Sequence, residues 1–199
     1  MEEPQENREK LEATYGTKAP DEFFVLAPSK LVIMLVATMG IYSIYWFYQN
    51  WTRQRIKRDE DIWPLARALF AIFFAHRLFR RIDARLGEAT KGTDESEFVW
   101  SPMSTATQYV ALAVLSSVIN RLSVEAGGDV VLDLLSIIVM VVSFWFLNMA
   151  QEAINVALGD PDGDSNSRFL SRDISWCIIG GFLWLLTVQA LLNPIAIEP

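Results

Sequence analysis

Apolar and polar positions alternate in long blocks along this chain, and the first block is the most telling. Leu31 to Trp51 is 21 residues without a charge. It begins aliphatic (Leu31, Val32, Ile33, Leu35, Val36) and ends aromatic (Tyr42, Tyr45, Trp46, Tyr48, Trp51). A basic cluster follows at once: Arg53, Arg55, Lys57 and Arg58. A bilayer core is crossed by about 20 apolar helical residues. Trp and Tyr favour the headgroup level, and Lys and Arg the cytoplasmic side. The pattern predicts a span over 31–51 with those five aromatics as an interface belt. Gly40, near its middle, offers a bend.

Further blocks predict spans over 102–122, 130–151 and 174–193. Ser101 is placed to cap the first of these, with Pro102 at the first helical position. Its small and hydroxylated residues suit helix-on-helix packing. Gly159 and Pro161 end the next one, whose last turns should project past the membrane. Residues 61–86 read differently. Their uncharged core, Ala68–His76, is too short to cross. Helical spacing gathers Leu65, Leu69, Ile72, Phe73, Phe79 and Ile82, with Arg67, Arg77, Arg81 and Arg85 away from them. An amphipathic helix in the headgroup plane fits, the arginines contacting anionic lipid headgroups. A helix packed on the protein's own spans fits nearly as well. The expected fold is an all-α integral membrane protein with about four transmembrane helices and one interfacial amphipathic helix. Residues 1–28 form a polar tail, expected to be disordered, and 29–199 one membrane domain.

Charge sets the orientation. Loops 52–100 and 152–173 hold 12 of the 17 Lys and Arg residues, which assigns them to the cytoplasm. If 31–51 crosses, both termini lie outside. The competing arrangement makes 31–51 a re-entrant hairpin bent at Gly40. The first 20 residues contain no apolar stretch, so insertion is expected to rely on the internal segments.

Composition narrows the chemistry. The formal charge is −7, and the bases flank apolar segments rather than coating a folded module, which argues against nucleic-acid binding. Cys177 is the sole cysteine and His76 the sole histidine, so neither a disulfide nor a Cys- or His-based metal site is expected. Asn148, Gln151, Glu152 and Asn155 stand at i, i+3, i+4 and i+7, one helical face at the inner end of the third span. They form either a polar site facing the bundle interior or an ordinary helix exit. Asp160, Asp162, Asp164 and Asn166 alternate like calcium-loop ligands. Ser165 and Ser171 stand where that motif needs Gly and Glu, so a solvated acidic turn is the better reading.

The string Gly40-Ile41-Tyr42-Ser43-Ile44-Tyr45-Trp46-Phe47-Tyr48-Gln49-Asn50-Trp51, preceded by Lys30 and an apolar run, resembles a recurring opening of uncharacterised bacterial multi-pass inner-membrane proteins. Gln151–Asn155, Gly159-Asp160-Pro161, Asn166–Phe169 and Gly180-Gly181 resemble such proteins more weakly. The resemblance implies a bacterial inner-membrane location and carries no catalytic residue. No catalytic motif stands out and no cofactor is expected. Three function classes follow: a non-enzymatic scaffold or modulator of membrane partners, a small channel or transporter subunit, and an anionic-lipid headgroup binder or enzyme. The expected partners are membrane lipids, a second copy of the chain or other membrane proteins.

Overall fold

The computed structural model describes residues 21–91 and 100–192. The regular structure among them is helical: α1 Pro28–Ala37, α2 Tyr42–Arg58, α3 Pro64–Leu69, α4 Ala71–Ala89, α5 Pro102–Glu125, α6 Val130–Ala157 and α7 Ser171–Leu192, with a short 3-10 turn at Asp164–Asn166. Three of them, α5, α6 and α7, are long and apolar enough to cross a membrane. Helices α1, α3 and α5 begin on proline, where the missing N–H costs nothing. Asp129 caps α6, its carboxylate accepting from the Val131 and Leu132 amides at 2.9 and 3.0 Å. At 28 residues α6 is roughly 42 Å long. It therefore outruns the roughly 30 Å hydrocarbon layer, as the position of Gly159 and Pro161 foretold.

Leu31–Trp51 is not one helix. The chain breaks after Ala37 and turns through Met39 (φ 49°) and Gly40 (φ 83°) before α2 starts. Thr38 fills the gap in the ladder: its hydroxyl donates to the Met34 carbonyl at 2.7 Å and accepts from the Tyr42 amide at 3.0 Å. Helix α1 climbs beside α7, with Lys30 at Asp173, the Trp184 indole donating to the Val36 carbonyl, and Met39 at Thr187. Helix α2 comes back down, Tyr42 and Tyr45 against Trp176 and Trp46 on Gln151. The pair enters and leaves at one end of the bundle. The ten residues of α1 rise roughly 15 Å, about half the hydrocarbon thickness. The bend at Gly40 therefore makes a helical hairpin, and neither of its arms is among the helices long and apolar enough to cross a membrane.

The turn needs glycine. A Cβ on Gly40 would sit 3.2 Å from the Phe144 ring, on a backbone that L side chains rarely adopt. Gly40→Ala is expected to cost about 1–2 kcal/mol, mostly from the left-handed backbone. Thermal unfolding of the purified protein checks this.

Residues 61–86 form two helices rather than one. Phe70 bends the chain between α3 and α4 (φ −100°, ψ 39°). Helix α4 then packs lengthwise and antiparallel to α5. Phe79 and Asp83 meet Trp100, His76 bonds to Thr107, and Ile72 shares a groove with Ala113. The buried stripe is Ala75, Leu78, Phe79, Ile82 and Leu86, spaced three or four apart. The bend splits the face that periodicity predicted: Phe79 and Ile82 turn inward, while Leu65, Leu69, Ile72 and Phe73 are exposed. Of the 14 Lys and Arg among the described residues, 13 lie on the half of the bundle where the α1–α2 hairpin opens; Arg121 lies on the other.

Candidate functional site

The polar residues converge where the segment before α1 enters the bundle. Phe23, Phe24 and Leu26 are buried, yet Phe23–Ala27 runs without helical bonds. Extended backbone in an interior must find partners for its N–H and C=O groups. Side-chain amides from three places supply them. Asn50 accepts from the Phe24 amide at 3.0 Å. The amide groups of Gln54, Gln151, Asn166 and Asn155 donate to the carbonyls of Glu22, Phe24, Val25 and Leu26, each at 3.0 Å. Gln151 is held in turn, accepting from the Trp46 indole at 2.6 Å and donating to Asn155 at 2.7 Å. Gln151 and Asn155 are fully buried.

The face Asn148, Gln151, Glu152, Asn155 thus divides. Gln151 and Asn155 clamp the incoming strand and do not face an open path. Asn148 and Glu152 form a separate pair, the Asn148 amide donating to the Glu152 carboxylate at 2.7 Å, one turn nearer the membrane centre. The helical spacing placed all four on one side of α6. It could not show that a distant strand lies across half of them.

Beside the clamp is a buried ion pair. Lys30 Nζ and Asp173 Oδ2 are 2.8 Å apart, both side chains 1% exposed. The ammonium also donates to the Arg168 carbonyl at 2.6 Å and to Asn166 Oδ1 at 3.1 Å, so its three protons are all engaged. Asp173 Oδ2 accepts the Leu170 amide at 2.9 Å as well, at the first turn of α7. The acidic turn 160–166 serves this lock: Asp160 accepts from the Asp164 and Ser165 amides and shapes the loop that presents Asn166. The Ser165 hydroxyl, with the Ser165 and Asp164 amides behind it, holds the Asp160 carboxyl below its ordinary value.

The candidate headgroup arginines are mostly engaged within the protein. Arg81 grips Glu60 through two 2.7 Å bonds and reaches Gln54 at 3.2 Å. The Arg81 bond holds the Glu60 carboxyl below the usual range. Arg67 lies 4.5 Å over the Trp51 ring and 5.3 Å over Phe74. Arg85 comes within 3.5 Å of Glu22. Of the four, Arg77 is the exposed one.

The aromatic run is not a lipid-facing belt. Tyr42, Trp46 and Trp51 are fully buried, Tyr45 is packed between Phe24, Tyr42 and Trp176, and Tyr48 is the exposed member. Helix α2 is surrounded by neighbouring elements, so most of its rings form core.

Sequence reasoning missed Asn50, Gln54 and Asp173, and it named Lys30 and Asn166 without the contacts they make here. The available signal was a lone Lys and a lone Asp, each at the start of an uncharged run. Their pairing spans more than 140 positions and no local pattern announces it. The chain matches no protein-family model, no curated protein and no solved structure.

Proposed function

We propose that this chain is a non-enzymatic scaffold of a bacterial inner membrane, holding partner membrane proteins against its lipid-facing helices. One observation carries the reading. The buried polar side chains at the open end of the hairpins are engaged in holding the chain to itself, which makes a braced platform. The outward faces of α6 and α7 stay apolar, with Trp145, Ile178, Phe182 and Leu185 more than 60% exposed. Those faces would meet lipid, a second copy or another membrane protein. The bacterial inner membrane is the location that the resemblance implies.

The charge bias supports a cytoplasmic position for loops 52–100 and 152–173. With 31–51 re-entrant, the start of α1 shares that side, and α7 ends outside. Crosslinking followed by pull-down in native membranes tests the scaffold: a discrete homo-oligomer or a reproducible partner is expected, and recovery of monomer alone overturns it. Single cysteines at Ser29, Gly127 and Asp162, in a Cys177→Ser background, test the sidedness. An impermeant thiol reagent on intact cells is expected to label the cysteine at 127 only. Labelling at 29 without labelling at 162 would mean that 31–51 crosses. A second reading, a small channel or transporter subunit, is favoured by the cavity beyond the hairpin tip, and flux through protein-loaded liposomes checks it.

A further inference from the structure

On the far side of the hairpin tip, α5, α6 and α7 line an open-sided cavity of about 460 Å³. It extends from Met39 and Met140, at mid-depth, to Gly128 in the turn between α5 and α6. That volume suits a small organic molecule. Its wall is rich in acceptors, and the Asn120 amide is the side-chain group there that can still donate. Ser116 donates to the Ser136 carbonyl at 2.8 Å, and Ser117 to the Ala113 carbonyl at 2.9 Å. Ser136 donates to the Asp133 carbonyl at 2.8 Å, and Ser123 to the Asp129 carbonyl at 3.0 Å. Thr187 points its hydroxyl at the Met39 sulfur, 3.4 Å away. A hydroxyl has one proton, and each of these five is already given to the protein. What they turn toward the cavity is lone pairs.

Asp133 also lines the cavity, the one carboxylate in its wall. No Lys or Arg forms an ion pair with it among the described residues; Arg121, the cation at this end, pairs with Glu125 at 2.7 Å. Asp133 stands in the first turn of α6, where the helix N-terminus favours a carboxylate, and it presents that charge to the cavity. The remaining wall is apolar, including Ile137, Ala190 and Leu191. Acceptors, one negative charge and an apolar lining together select a donor cation with an apolar body.

We infer that the cavity binds a protonated organic amine. Its ammonium sits at Asp133 among the serine oxygens, and its apolar part lies along Ile137 toward the Met39 and Met140 thioethers. The site goes beyond the scaffold reading and does not rest on it: it lies at the opposite end of the bundle from the polar clamp.

Phenethylamine is a usable probe, with 2-phenylethanol as neutral isostere and 3-phenylpropionate as anion. Binding is read by isothermal titration calorimetry on the full chain in nanodiscs at neutral pH. Saturable binding of the amine is expected, with the alcohol and the acid weaker by about tenfold or more, as befits a lost charge-assisted bond. Asp133→Asn is expected to lose binding by a similar factor, and Asp133→Glu to keep it. Ile137→Trp leaves the carboxylate in place and fills the cavity from its apolar wall, so it should lose binding too. Retained affinity in a folded Ile137→Trp protein overturns the site, even if Asp133→Asn fails to fold. Equal binding of 2-phenylethanol overturns the assignment of a cation. Competitive displacement of the amine by millimolar sodium or potassium, in choline-balanced buffer, reassigns the site to an inorganic cation and overturns the amine.

Discussion

Lys30→Met is expected to destabilise the protein by about 3–5 kcal/mol, the usual cost of removing one partner from a buried ion pair. The cost comes from what stays behind. Asp173 would keep a buried carboxylate whose Oδ1 has no hydrogen-bond partner and only the half-exposed Arg172 guanidinium 4.0 Å away. Asn166 Oδ1 and the Arg168 carbonyl would also lose their donor. The effect should reach beyond Lys30, because Asn166 also donates to the Val25 carbonyl in the strand clamp. The double variant Lys30→Met, Asp173→Leu removes both charges and should recover a large part of the loss, since paired apolar replacements are often close to neutral. Unfolding in mixed micelles with increasing denaturing detergent, read for the wild type, both singles and the double, gives the coupling directly. A single-variant cost below about 1 kcal/mol would mean that water reaches the pair, as it does for exposed ion pairs.

The long apolar helices were legible in the sequence because their signal is local and repeats over 20 or more positions. Asp129, Pro102 and Gly159 likewise act within a turn of where they stand. The hairpin was legible only as an alternative. Gly40 permits a bend, but Gly40 in a straight helix is equally allowed, and the decision lies in Thr38 bridging Met34 and Tyr42 and in α7 receiving α1. The aromatic run misled for a related reason. Tyr, Trp and Phe suit a headgroup interface and a packed core alike, and burial of Trp46 and Trp51 depends on residues 100 or more positions away or on α3. The arginines had partners that no local pattern announced, since Glu60 receives Arg81 and the Trp51 ring receives Arg67. For the polar face of α6, the period was right and the partner was invisible. Gln151 and Asn155 answer the backbone of Phe24 and Leu26, and an unstructured-looking tail gives no sign that it will be clamped. The acceptor-lined cavity is harder still to read, because it depends on which way five hydroxyl protons point.

Gly180→Ala and Gly181→Ala differ by one position and should act in opposite directions. A Cβ on Gly180 would run into the Ala37 carbonyl oxygen and lie 2.8 Å from the Thr38 Cα. Both atoms are backbone, at the end of α1, so no side chain can swing away. The helices must part instead, and overpacking of this kind costs about 1–3 kcal/mol or more. A Cβ on Gly181 meets nothing within 4 Å. There the gain in helix propensity should dominate, leaving Gly181→Ala neutral or more stable by up to about 1 kcal/mol. Thermal unfolding of the pair separates close helix contact from propensity, since both substitutions add the same methyl to the same helix. The displacement also has a direction. Pushing α1 off α7 strains the 2.9 Å bond from the Trp184 indole to the Val36 carbonyl and moves Met39 away from Thr187. Met39 is part of the cavity wall. Gly180→Ala should therefore weaken phenethylamine binding without touching the cavity, while Gly181→Ala leaves it unchanged. Equal stability of the two variants would mean that α1 does not dock on α7 at Gly180, and the α1–α2 hairpin would lose its closest contact with the bundle.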